Sequence, residues 1–275
     1  MAYSAAERSF PLTFYSRARR KVIIRLLMSA AERKPAILAA SGSASQLLHA
    51  EAAHRREAFR PFRELLKRTG AVTWVFAGDS ITLGARHTDG RRSYSEHFAE
   101  RVRGELHRSH DVVINAAADD ETAHSLLSDL EWRVLRFRPD VVSVMIGMND
   151  ATAGRARCSQ FQENLRHIVE CIRADGALPL LHTPPYIERR RAPGHADVRF
   201  YAKRVRKLAR ELSVPCVNHW THWKRTAESG ADITGWLAAD GLHPAAEGHR
   251  ALSLFLFRRL GIFDAHSPTC TATAR

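Results

Sequence analysis

A chain of 275 residues suffices for one large α/β domain with an extension. Its 45% hydrophobic and 26% charged content excludes a disordered or fibrous chain. No stretch reaches the roughly eighteen apolar residues of a membrane-spanning helix.

The net charge of +13 is uneven, because residues 1–70 carry fourteen Lys/Arg against five Asp/Glu. Such a segment could meet nucleic acid, anionic lipid or an acidic partner. No aromatic interleaving or nucleic-acid module accompanies the charge, so a solvated helical face is the simpler reading and no nucleic-acid partner is expected. Cys158, Cys171, Cys216 and Cys270 show no metal-ligand spacing and read as free thiols of a reducing compartment. Arg19-Arg20-Lys21 precedes an apolar run that Arg25, Glu32, Arg33 and Lys34 break, which does not make a secretory signal. A cytoplasmic location is therefore expected.

Residues 17–33 alternate basic and apolar positions at helical spacing. Ser41-Gly42-Ser43-Ala44-Ser45 is a flexible break, and a second helical pattern runs from Gln46 to Arg68 with Pro61 expected to kink or interrupt it. Residues 1–70 thus read as a basic helical N-terminal extension that could form a lid, pack on the sheet or mediate contacts; the oligomeric state is left open. From Val72 the chain alternates strand and helix. Strands are expected at 72–77, 111–115, 140–146, 177–182 and 214–218. Helices are expected from the capping box Ser93-Tyr94-Ser95-Glu96 to about 108, and at 122–136, 159–174, 197–212 and 244–260. Such alternation implies right-handed crossovers and a parallel sheet covered on both faces. Thr269 to Arg275 is small and polar and is expected to fray.

Three strand ends or loops carry the chemistry. The first strand runs into Gly78-Asp79-Ser80, at the carboxyl edge where open α/β sheets bind ligands. Ser80 there is either a nucleophile, if a base reaches it, or a helix N-cap. Asp240-Gly241-Leu242-His243-Pro244 can present an imidazole as general base with a carboxylate to orient it. The third strand ends in Gly147-Met148-Asn149-Asp150, whose Asn149 amide could donate to a developing oxyanion. Gly78, Asp79 and Gly147 read as supports of these turns. His182, His219, His222 and His249 lie near strand ends or the last loop without a motif around them. Trp220 and Trp223 could line a pocket or pack in the core. The Arg189-Arg190-Arg191 run reads as a solvated loop or a grip on an anionic substrate group.

Together the three blocks, in this order and spacing, resemble the SGNH (GDSL) hydrolase superfamily over roughly residues 70 to 263. The resemblance implies a flavodoxin-like three-layer α/β/α sandwich with a five-stranded parallel sheet of order 2-1-3-4-5. The hydrolase domain would span 71–263, between the extension 1–70 and a tail at 264–275. It also implies a Ser80, His243, Asp240 centre that cleaves small-molecule acyl esters or thioesters through an acyl-enzyme. The oxyanion would be held by the N–H groups of Ser80 and of residue 120, with Asn149. No metal or organic cofactor is required. An acyltransferase or a non-catalytic binding protein on the same scaffold is the alternative.

One block departs from the family pattern. After the second strand and Asn115, the position that is usually an oxyanion-hole glycine is Asp120. Its backbone N–H can still donate. An inward carboxylate, however, would repel a negative charge about 4 Å away by about 4 kcal/mol at a surface-like dielectric. The side chain could point to solvent, could recognise a cationic or polyhydroxyl substrate, or could mark a site that has lost hydrolysis.

Overall fold

The structure, a computed structural model, describes residues 57–271; the expected helix at 17–33, most of the basic extension and the last four residues lie outside it. The first described helix, α1 (Arg60–Lys67), has Pro61 in its opening turn, where a missing N–H costs nothing, so the interruption expected at Pro61 falls at a helix start. Eight residues are too few to hold a helix alone. Phe59, Phe62 and Leu65 are buried, which stabilises α1 by about 1.5–3 kcal/mol per side chain. The Arg108 guanidinium also donates to the Leu66 and Gly70 carbonyls, both at 3.0 Å.

Strand β1 (Thr73–Gly78) leads through helix α2 (Ser80–Leu83) and a loop to α3 (Tyr94–Glu100). The expected capping box is present, with the Ser93 N–H donating to Glu96 at 2.7 Å and the Glu96 N–H to Ser93 at 3.4 Å. The helix then widens into a π-turn at Arg101–Glu105. Next come β2 (Val112–Asn115), α4 (Ala123–Ser128), α5 (Leu130–Arg133) and β3 (Val141–Met145). The expected 122–136 helix is therefore divided, with Asp129 in a non-helical conformation between its halves. The remaining elements are α6 (Cys158–Ala174), β4 (Leu178–His182), α7 (Val198–Glu211), β5 (Cys216–Val217), α8 (His219–Glu228), α9 (Ala246–Leu260) and α10 (Pro268–Thr271).

All pairings between the described strands are parallel and the strand order is β2-β1-β3-β4-β5, as expected. Every residue of β3 and β4 is buried, the signature of a sheet covered on both faces. On one face Trp74 and Phe76 of β1 meet Phe98 of α3 at 5.0 and 5.2 Å. On the other, Phe161 of α6 meets Tyr201 of α7 at 5.0 Å. Two acids before strands pin the register: Asp111 accepts from the Val72 N–H at 3.0 Å, and Asp140 from the Thr73 N–H at 2.9 Å.

The tail departs from expectation. Residues 269–271 do not fray; they form α10 with Thr269 and Cys270 buried. The cause is Glu105, at the end of the π-turn. Its carboxylate accepts from the Thr269 N–H at 2.8 Å, the Thr269 hydroxyl at 2.7 Å and the Ser267 hydroxyl, and pairs with Arg101 at 2.6 Å. Burial alone would raise this carboxyl, but the Ser267, Thr269 and Arg101 hydrogen bonds outweigh it and lower it to about 2. A depressed folded-state pKa stabilises above the unfolded-state value of 4.5, and that contribution fades as pH falls toward 2. Glu105→Gln should therefore lower the unfolding free energy at pH 7 by about 2 kcal/mol. In urea titrations the gap between wild type and variant should shrink between pH 4.5 and pH 2.

Candidate active site

The site is built at the carboxyl edge of the sheet. β1 ends at Gly78, and Asp79 caps α2 by accepting the Ile81 N–H at 3.1 Å. Asp79, not Ser80, is thus the N-cap; Ser80 is the first residue of α2, its N–H among those left unpaired at a helix start. From the far end of the chain, His243 reaches Ser80: its Nε2 lies 2.9 Å from the Ser80 Oγ, across 163 residues of sequence. His243 Nδ1 lies 2.6 Å from Asp240 Oδ2. The other Asp240 oxygen accepts the N–H groups of Leu242 and His243 at 2.9 and 3.0 Å, so the turn's own backbone fixes the carboxylate. Burial raises the Asp240 carboxyl, but the bonds from His243 and Leu242 outweigh it and hold it below the usual range. An anionic Asp240 selects the tautomer with the proton on Nδ1 and leaves Nε2 as an acceptor facing the serine.

The second and third blocks flank Ser80. Gly147 has φ +117° and lies close to Phe161, 3.1 Å from where a Cβ would stand, so a side chain there would be strained. The Asn149 amide donates to the Glu121 carbonyl at 3.0 Å, which uses one of its two N–H groups and ties it to the 116–122 loop. Asp150 accepts the Ala123 N–H at 3.0 Å and so holds the start of α4. Asp120 has φ +56° and is exposed. Positive φ is what makes glycine usual at such a position, and aspartate is among the few other residues that tolerate it. Exposure favours the reading in which the carboxylate points to solvent.

Acids crowd beneath the site. Asp79 is pushed up to about 7, chiefly by burial and then by Asp150 and Glu121. Asp150 is pushed up to about 6, again chiefly by burial. Glu121, buried beside them, pairs with Arg133.

The remaining histidines divide clearly. His182 accepts or donates to Ser143 at 2.8 Å and to His219 at 3.0 Å within the core. Burial holds His182 down at about 3, and burial with the neighbouring His182 and His222 holds His219 well below its ordinary range, so both stay neutral. His249 accepts the Tyr94 N–H at 3.2 Å, and His222 stacks on Phe255 at 4.0 Å. None of these four is hydrogen-bonded to Ser80, Asp240 or His243. His87, which sequence spacing did not single out, stacks on His243 with ring centroids 3.9 Å apart and planes 11° apart. It follows α2 in a loop with no motif around it, so only the fold reveals it.

Trp223 is fully buried against Trp236, while Trp220 packs edge-on to Tyr186. A cavity of about 800 Å³ lies beyond, lined by Tyr186, Arg189, Arg190, Ile233 and Leu237 among others. Arg191 instead pairs with Glu188 at 3.1 Å. All four cysteines are free thiols, and no helix of the described residues is long and apolar enough to cross a membrane.

A five-stranded parallel sheet of order 2-1-3-4-5 carries serine, imidazole and carboxylate within hydrogen-bond reach at its carboxyl edge. The chain belongs to the GDSL-like lipase/acylhydrolase family, whose profile matches residues 76–251. It is similar to esterase TesA of Pseudomonas aeruginosa, at 28% identity over 189 residues, covering 66% of this chain and 84% of that one. An acetylxylan esterase of Geobacillus stearothermophilus is 25% identical over 205 residues, 68% of this chain and 93% of the relative. Among solved structures, a lipase/acylhydrolase from Enterococcus faecalis aligns with a TM-score of 0.57 at 27% identity, over 69% of this chain and 95% of that one. A catalytic mutant of the Geobacillus acetylxylan esterase has the same fold, with a TM-score of 0.59 at 22% identity, over 71% and 96% of the two chains. The chain is thus a carboxylic ester hydrolase by family.

A left-handed backbone costs a non-glycine residue about 1–2 kcal/mol, less for aspartate. Asp120→Gly should relieve that strain and raise the unfolding free energy by about 0.5–1 kcal/mol. A tenfold or greater rise in ester hydrolysis in the same variant would instead place the carboxylate at the oxyanion.

Proposed function

We propose that this protein hydrolyses carboxylic esters through a covalent acyl-serine, with Ser80 as nucleophile, His243 as general base and Asp240 as its orienting anion. The observation that carries the reading is the continuous relay from Asp240 through His243 to Ser80, at 2.6 and 2.9 Å. His243 Nε2 takes the Ser80 proton as the Ser80 Oγ bonds to the acyl carbon, and the carbonyl π-electrons move onto oxygen. Collapse of the tetrahedral species breaks the ester C–O bond, and the proton on Nε2 passes to the departing alkoxide. Water then repeats the sequence: His243 removes its proton, hydroxide oxygen bonds to the acyl carbon, and the bond to Ser80 breaks as the proton returns to Oγ.

The oxyanion is held by the N–H groups of Ser80 and Asp120 and by the second N–H of Asn149. Support for Ser80 comes from its place as the first residue of α2, where the backbone N–H has no intrahelical partner. Support for Asp120 comes from its left-handed conformation, which turns the backbone where the family has glycine. The end of the basic 1–70 extension is packed into the domain through Phe59, Phe62 and Leu65, and in this reading the chain acts in the cytoplasm on a small acyl ester without a cofactor.

One of the similar proteins is an acetylxylan esterase, so an acetyl ester is the first substrate to test. Hydrolysis of p-nitrophenyl acetate, butyrate and octanoate should be measured for wild type and Ser80→Ala. The expected result is a loss of about 10³-fold or more in kcat for the variant, with the wild-type chain-length profile sizing the acyl pocket. Undiminished hydrolysis in Ser80→Ala would refute the mechanism.

A further inference from the structure

His87 has no part in the relay, yet its ring lies face to face with that of His243 at 3.9 Å. One donor atom from each of His87, Asp240 and His243 lies within 4.8 Å of the other two. Two imidazoles and a carboxylate are a ligand set that zinc and its neighbours accept with a solvent molecule as fourth ligand. The geometry points to a site for a divalent transition-metal ion of the zinc type on His87, Asp240 and His243, whose occupancy switches the hydrolase off. The inference rests on the relay described above for its effect, though not for the binding itself.

The elements around the site set its shape. Gly84 ends α2 in the left-handed conformation, and the Thr88 hydroxyl donates back to the Gly84 carbonyl at 3.2 Å. Arg86 pairs with Asp119 at 2.9 Å, so the residues on either side of His87 are anchored. Opposite, the 240–243 turn is held by its own backbone bonds. The two donors of that turn, His243 Nδ1 and Asp240 Oδ2, are 2.6 Å apart, with a proton between them. Zinc–nitrogen and zinc–oxygen bonds are each about 2.0–2.1 Å, so an ion taking both atoms needs them to part only modestly. The stacked rings must tilt toward a common point, which rotation of the partly exposed His87 side chain on its anchored backbone allows. A half-exposed carboxylate, 37% open at its side chain, gives the ion a way in from solvent.

The effect on chemistry follows from which nitrogen the ion takes. In the working tautomer the proton is on Nδ1 and the Nε2 lone pair faces Ser80. An ion on Nδ1 displaces that proton, and a neutral imidazole bound there carries its proton on Nε2 instead. Within His243 the proton moves from one nitrogen to the other, with no net release. The nitrogen at 2.9 Å from Ser80 becomes a donor and can no longer accept the serine proton. Binding also engages Asp240, so the anion that steadies the imidazolium is lost to the metal. Calcium and magnesium prefer oxygen ligands and should not compete at this site.

The test is zinc binding by the purified full-length chain, read by competition with a chromophoric zinc chelator, together with ester hydrolysis under the same free-zinc series. Binding and inhibition should follow one curve, reverse on adding EDTA, and be absent with magnesium. His87→Phe keeps a ring over His243 but has no donor atom. Its half-inhibitory zinc concentration, relative to its own zinc-free rate, should rise by about tenfold or more. Equal zinc sensitivity in wild type and His87→Phe, or inhibition that does not track binding, would overturn the proposal. Zinc binding that depends on His87 in a protein without ester hydrolysis would sustain the metal site while refuting the proposed activity.

Discussion

The site depends on how closely three pieces of backbone approach at Gly78. A Cβ there would stand 2.3 Å from the Met145 carbonyl oxygen and 2.5 Å from the Thr82 hydroxyl. Only a residue without a side chain lets the end of β1, the end of β3 and the first turn of α2 converge. Pairing of Gly78 with Met145 then sets Ser80 beside the segment that carries Asn149. Because the strands are parallel, both ends fall on one edge of the sheet, where the 240–243 turn meets them. Residues far apart in the chain thus become one site through strand register and a single close contact.

Convergence has an electrostatic consequence. Asp79, Asp150 and Glu121 are drawn together below the serine, in a setting where burial disfavours charge. Each is put to structural use: Asp79 caps α2, Asp150 holds the start of α4, and Glu121 pairs with Arg133. Backbone N–H donors to Asp79 and Asp150, and the Arg133 guanidinium on Glu121, keep these acids tolerable where they stand. On the other side of the sheet edge, neutral His182 and His219 extend a polar chain from Ser143 into the core. The polar interior is therefore bonded mostly to itself, and the exposed end of the relay is left to meet substrate.

Much of this was legible in the sequence, for physical reasons. Apolar runs of strand length, each ended by glycine or a polar turn, marked β1, β3 and β4 within a residue or two, because strands covered on both faces must be apolar throughout. The Gly78-Asp79-Ser80 and Asp240-to-Pro244 blocks were visible because tight turns need particular residue types. Features that arise between distant segments were not visible. The tail from Thr269 reads as frayed until Glu105, over 160 residues earlier, is seen to bind it. The helix at His219–Glu228 was hidden by a mixed pattern of His, Trp and Thr, though Asn218 caps it by accepting the Thr221 N–H at 3.1 Å. His87 carries no local signal at all, since its significance lies in a ring stacked on it from residue 243.

The most direct test of the account is covalent labelling with a fluorophosphonate, followed by peptide mass analysis and by rates in His243→Ala. The account predicts a single adduct on Ser80, forming at least about 10³-fold more slowly when the imidazole is removed. An adduct on any other residue, or a labelling rate that His243→Ala leaves unchanged, would contradict it.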